Sequence, residues 1–159
     1  MTVRAAANAL YVRWRATPTI ARLQGILERV ESVARTYGRP IAFIMEQDAS
    51  AGAPDAEFRR RSVEAVDSVG HAIACLAMVT RASGLRAAIL RSVLTGITFL
   101  ARRQFPVRVF AGLDEEAQNW IVGHADGDEH ARSELQALLR EVEQEHTQAS
   151  AASGPAERS

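Results

Sequence analysis

Four short apolar runs, each followed by a stretch of helical periodicity, constrain this chain more than any other feature. They are Leu10 to Arg15, Pro40 to Glu46, Ala72 to Val79 and Val107 to Ala111. Strands that alternate with helices are joined by crossovers, which make neighbouring strands parallel and lay helices on the sheet faces. The expected class is therefore α/β, a four- or five-stranded, mostly parallel (mixed) sheet with alternating helices and an added C-terminal helix. A short strand over Thr2 to Ala5, turning at Asn8, is the candidate fifth strand.

The individual segments refine this picture. In the first run Leu10, Val12 and Trp14 fall on one face and Tyr11, Arg13 and Arg15 on the other. Such alternation suits a strand covered on one side, as at a sheet edge. Thr17 and Pro18 then fit the N-cap and first position of a helix. Ile20, Leu23, Ile26, Leu27 and Val30 recur at helical spacing, and Gly38 followed by Pro40 ends the helix. Ile41 to Met45 and Ala72 to Val79 are continuously apolar, as in strands buried on both faces. The segments centred on Phe43 and Leu76 are thus expected to be parallel neighbours with their exits on a common rim.

The exit of the second run, Glu46 to Asp55, is the longest polar and small-residue connection before the chain's C-terminal part. Ligands of open α/β sheets lie outside the carboxyl ends of the strands, so this loop is the first candidate for function. The next helix carries Phe58, Val63, Val66 and Val69, with Arg59, Arg60 and Arg61 displayed outward. Three arginines near a helix start oppose the macrodipole and mark either an anionic partner or a solvated face.

A long helix is expected from Ser83 to Arg103. Its apolar arc, Leu85, Ile89, Val93, Ile97 and Leu100 with Leu90 and Leu94, is wider than sheet packing requires. Three explanations stand: a second subunit making a homodimer, the chain's own C-terminal helix, or a helix sunk in the core. Asp114 caps a short helix with Ala117, Trp120 and Ile121. Residues 132–146 form an amphipathic helix, with Leu135, Leu138, Leu139 and Val142 opposite Glu134, Glu141, Glu143 and Glu145.

Composition bounds the function. With 159 residues and 47% hydrophobic content, there is room for one core, assigned to residues 1–123. Residues 124–147 supply the added helix and 148–159 a disordered tail. No run reaches the roughly 20 apolar residues of a membrane span, and Met1 to Ala7 lacks a secretory apolar segment, so a cytoplasmic protein is expected. All nineteen basic residues are arginine. That removes lysine chemistry: no Schiff base, no phosphate-loop lysine, no amine base. Zero net charge without a basic face argues against nucleic acid.

Catalytic signatures are lacking too. Cys75 is the only cysteine and sits in an apolar run, which fits a buried, inert thiol. Glu46 and Asp48 are the best-placed acids, and His71 reads as a strand-end residue satisfied by backbone. His124 to His130 gathers metal-compatible side chains without the spacing of a calcium loop or zinc-peptidase helix, and reads as a solvated hinge. The expectation is no catalytic residue, no metal and no cofactor.

The order of elements carries a resemblance. With Tyr11-Val12-Arg13-Trp14-Arg15-Ala16-Thr17-Pro18 at the front, Arg102-Arg103-Gln104-Phe105-Pro106-Val107-Arg108-Val109-Phe110 near the end and Glu116-Ala117-Gln118-Asn119-Trp120-Ile121 closing the unit, residues 8–122 resemble a STAS domain. That is the sulfate transporter and anti-sigma-factor antagonist fold, here closest to a diverged bacterial branch grouped with lipid-transfer proteins. The resemblance implies docking without catalysis. The partner would be a protein, a kinase or anti-sigma factor, met by the helix after the second central strand, with a serine at its start as phosphorylation switch. Here Asp48-Ala49-Ser50-Ala51-Gly52 replaces the usual Asp-Ser-Ser-Gly, with the helix delayed to Asp55. Ser50 is the candidate switch, and Asp48, Ser50, Asp55, Arg59, Arg60 and Arg61 the candidate partner surface. The related lipid-transfer proteins, together with the wide apolar arc, imply an alternative: a carrier of a small apolar or lipid-like ligand.

Overall fold

The computed structural model describes residues 1–48, 51, 55–81 and 104–152. In chain order these form β1 (Thr2–Ala6), β2 (Ala9–Trp14), α1 (Ile20–Tyr37), β3 (Ile41–Gln47), α2 (Ala56–Ser68), a 3-10 turn (Gly70–Ala72), β4 (Ile73–Thr80), β5 (Val107–Phe110), α3 (Glu115–His124) and α4 (Glu129–Ala152). The five strands lie in sequence order, β1-β2-β3-β4-β5. β1 and β2 are an antiparallel hairpin turning at Ala7 and Asn8, and every later pairing is parallel. Phe43 stands opposite Leu76 in the β3–β4 ladder. The mixed, mostly parallel α/β sheet read from the sequence is the fold of the chain.

Strand periodicity divides the core in two. Leu10, Val12 and Trp14, Ile41 and Phe43, and Leu76 and Met78 face α1 and α2, against Leu23, Ile26, Leu27, Val30 and Val66. Both crossover helices lie on that face because right-handed connections stepping one way along a parallel sheet put them there. The opposite face, with Tyr11, Ile44, Cys75, Ala77 and Val79, is covered by Ala117 and Ile121 of α3 and by Leu135, Leu138, Leu139 and Val142 of α4. Each such leucine, fully buried, stabilises by about 1.5–3 kcal/mol. Together they make α4 the second layer of the domain.

β2 differs from its expected place. It lies between β1 and β3, not at an edge, and both its faces are covered. The alternation of Tyr11 and Arg13 marks a buried polar site instead of a solvated side.

Helix boundaries follow local hydrogen bonding. Asp55 and Asp114 cap α2 and α3, accepting from the N–H groups of Phe58 and Ala117 at 2.7 and 2.9 Å. Gly38 (φ 80°) supplies the left-handed C-cap of α1, its N–H donating to the Ala34 carbonyl. The N-cap of α1, however, is Thr19, whose hydroxyl accepts from the Arg22 N–H, and not Thr17. Proline fixes only its own φ and suits the extended approach as well as the first turn, so the next hydroxyl takes the cap. α4 is also longer than residues 132–146. It starts behind Asp128, which accepts from Ala131 N–H at 2.9 Å, and it continues through Ala152, into the part expected to be a disordered tail. No helix among the described residues is long and apolar enough to cross a membrane. The helix expected over Ser83 to Arg103, with its Leu85–Leu100 arc, lies outside the described residues.

Candidate functional site

Two features meet at the carboxyl ends of β2, β3 and β4, one on each sheet face. On the α1/α2 face there is a small cleft of about 60 Å³, partly open to solvent. Its wall is almost wholly apolar, built by Trp14 of β2, Leu23 of α1, Met45 of β3, Met78 of β4, and Phe58 and Val66 of α2. The helical spacing 58, 62, 66 turns one stripe of α2 onto this space. Ser62 is part of the stripe and is buried, its hydroxyl donating to the Arg59 carbonyl at 2.9 Å.

On the α3/α4 face lies a buried cluster of charge. The period of two that aims Met45 at the cleft aims Glu46 the other way, where it is 0% exposed. Its Oε1 is 3.2 Å from Arg13 Nε and 3.2 Å from Arg81 Nε. Neither contact is aligned as a hydrogen bond, so the carboxylate is held between two guanidiniums by charge alone. Each arginine then reaches outward to a second carboxylate. Arg13 Nη2 donates to Asp48 Oδ2 at 2.7 Å, and the Arg81 fork grips both oxygens of Glu143 on α4. A buried carboxylate is tolerable only with such neutralisation.

The surrounding ionisable groups respond to this field. Burial, reinforced by the nearby Glu46 charge, pushes the Tyr11 phenol far above its ordinary range. The hydrogen bond from Arg81 holds the Glu143 carboxyl below the usual carboxylate range. Burial, with the positive Arg81 nearby, lowers the His146 imidazole. For Arg81 itself burial works against the charge, but Glu143 and Glu46 more than offset it, so its affinity for the proton rises.

The candidate partner surface looks different in three dimensions from the sequence. Asp48 belongs to the charge cluster and Asp55 is a helix cap. Arg60 pairs with Glu64 at 3.2 Å and Arg61 with Glu57 at 3.1 Å, both one turn apart on the exposed face of α2. Arg59, on the same helix, supplies the carbonyl that Ser62 bonds. Ser50 lies outside the described residues. Cys75 is buried, its thiol pushed up to about 12 by that burial. His71, exposed, lies 3.7 Å from Glu31. Among the described residues, no group of three or more His, Cys, Asp or Glu side chains is placed to hold a metal ion.

Tyr11, Arg81, Glu143 and His146 carry no signal in the sequence that joins them to Glu46. Only the alternation of β2 hinted that Tyr11 and Arg13 face one direction. Comparison with protein families, curated proteins and solved structures finds no match. The chemistry of the two features therefore carries the functional reading.

Proposed function

We propose that this chain is a non-enzymatic binding module that takes a small apolar molecule into the cleft between α1, α2 and the sheet. The cleft itself carries the reading: an almost wholly apolar wall at the strand ends where α/β ligands bind. The two carboxylates best placed for acid–base work, Glu46 and Asp48, are both engaged by Arg13, which favours a structural use for them.

A cleft-filling variant tests the proposal. Titration with decanoate and with the fluorescent apolar probe 1-anilinonaphthalene-8-sulfonate is expected to show saturable binding. Ser62→Leu, which places an isobutyl group in the cleft, is expected to weaken it about tenfold, some 1.4 kcal/mol, in a chain that keeps the parent's far-UV circular dichroism. Absence of saturable binding, or equal affinity in both proteins, rejects the cleft as the site.

Docking to a protein through the segment from Asp48 to Arg61 is the second reading. It is favoured by the geometry of α2, whose inner stripe lines the cleft while Glu57, Arg60, Arg61 and Glu64 project outward. The STAS resemblance would make the partner a kinase or anti-sigma factor. Charge reversal at Arg59, Arg60 and Arg61 is expected to abolish capture of such a partner and to leave decanoate binding intact.

A further inference from the structure

Among the described residues, buried polar atoms that make no hydrogen bond gather around Glu46. They are both of its carboxylate oxygens, the Tyr11 hydroxyl, and the Nε of Arg13 and of Arg81. Strand register brings them together. Arg13 stands opposite Glu46 and Tyr11 opposite Ile44 in the β2–β3 ladder. Tyr11 therefore shares a face with Arg13 and lies diagonal to Glu46, within reach of long side chains. The Glu46 charge acts on the phenol, yet the hydroxyl does not donate to the carboxylate. Tyr11 is 2% exposed and Glu46 0%, so neither group meets bulk solvent.

A polar group buried without a hydrogen bond forfeits its hydration, and native interiors satisfy such groups with protein atoms or ordered water. Several of them at one place call for a ligand that both donates and accepts. An ionised carboxylate only accepts, an Nε–H only donates, and a phenol does either. Charge narrows the choice further. The guanidiniums repel a cation and the carboxylate repels an anion, so the ligand that fits is neutral. We propose that this site holds a buried water molecule, which accepts from the Tyr11 hydroxyl, donates to Glu46 Oε2 and turns its second lone pair toward a guanidinium Nε–H. About three polar partners is the usual complement of a water inside a protein.

The choice of oxygen follows from the ion pairs. Oε1 lies 3.2 Å from both Nε atoms, which leaves Oε2 to receive the water. The bridge ties the middle of β2 to the exit of β3. It also gives hydrogen bonds to a carboxylate that the arginines hold by charge. The site is on the α3/α4 face, across the sheet from the cleft, and does not depend on what the cleft binds.

Tyr11→Phe in the full chain tests the proposal by its sign. The substitution keeps the ring and removes only the hydroxyl, so the variant folds. With the hydroxyl bridged, its loss leaves the water one partner short. The unfolding constant in urea is then expected to rise about fivefold, the usual size of one hydrogen bond. A buried hydroxyl with no partner gives the opposite sign, because deleting it relieves a desolvation cost. An unchanged or lower unfolding constant overturns the proposal. A direct bond from Tyr11 to Glu46 also destabilises when it is cut, and a high-resolution crystal structure of the parent separates that case. The expected density is an ordered water within about 3 Å of both Tyr11 Oη and Glu46 Oε2. A hydroxyl resting directly on the carboxylate, or no density between the two, overturns the water site.

Discussion

Replacing Glu46 by glutamine keeps the shape of the side chain and removes its charge. Two guanidiniums, with side chains 15% and 8% exposed, then face one another across a neutral amide. Removing one partner of a buried ion pair typically costs about 3–5 kcal/mol. Here Arg13 keeps Asp48 and Arg81 keeps Glu143, so the low end applies and the expected loss is about 3 kcal/mol. For a chain of this length that is a fall in Tm of roughly 6–12 °C. Urea unfolding followed by far-UV circular dichroism measures it. A companion variant, Arg13→Met/Glu46→Leu/Arg81→Met, exchanges the whole buried set for apolar groups of similar size. It removes the arginine partners of Asp48 and Glu143, whose side chains are 21% and 32% exposed and can be hydrated. The triple variant is expected to be more stable than Glu46→Gln. If Glu46→Gln lies within 1 kcal/mol of the parent, or the triple variant is the less stable of the two, the cluster is not the electrostatic unit described.

Three further outcomes are expected. Cys75, buried and with its thiol pushed up to about 12, should resist a thiol-specific disulfide reagent at pH 8 in the folded chain and react stoichiometrically in urea. Gly127→Ala should destabilise by about 1–3 kcal/mol, since overpacking carries that cost: its Cβ would stand 2.9 Å from Asn8 Nδ2 and 3.0 Å from the Tyr37 hydroxyl, where Asn8 and Tyr37 both donate to the Asp126 carbonyl. The pH profile of stability should fall in two steps on acidification. His146 and Glu143 both have folded pKa values below their ordinary 6.5 and 4.5, so the unfolded chain binds more protons. Their contributions are complete above those ordinary values and are lost as pH falls through the folded ones. His146→Gln should abolish the upper step alone in an unfolding series across pH.

Much of the architecture was legible because it is local. Runs of apolar residues give strands, and Asp55, Asp114 and Gly38 punctuate helices by chemistry that acts over three or four residues. Thr17 and Thr19 show the limit of that reasoning, since two hydroxyls within one turn of Pro18 satisfy the same rule and only the backbone chooses. The charge cluster was illegible for a different reason. Arg13 and Asp48 are 35 residues apart and Arg81 and Glu143 are 62, and no periodicity links such positions. Arg13 looked like a solvent-facing residue because polar alternation in a strand has the same pattern whether water or a buried carboxylate lies opposite. Glu143 looked like one glutamate among several on a polar helix face, and only the path of α4 over the strand ends separates it from its neighbours. The cleft was legible only in outline. The carboxyl end of β3 borders it, but its wall needed the inner stripe of α2, whose Phe58 and Val66 read as ordinary core.

Native mass spectrometry of the full chain, purified without detergent and incubated with decanoate, tests the apolar-ligand function most directly. The expected spectrum shows one bound molecule per chain, released on acid denaturation and lost in Ser62→Leu. A bare chain at every decanoate concentration, or adducts equally abundant in Ser62→Leu, would contradict it.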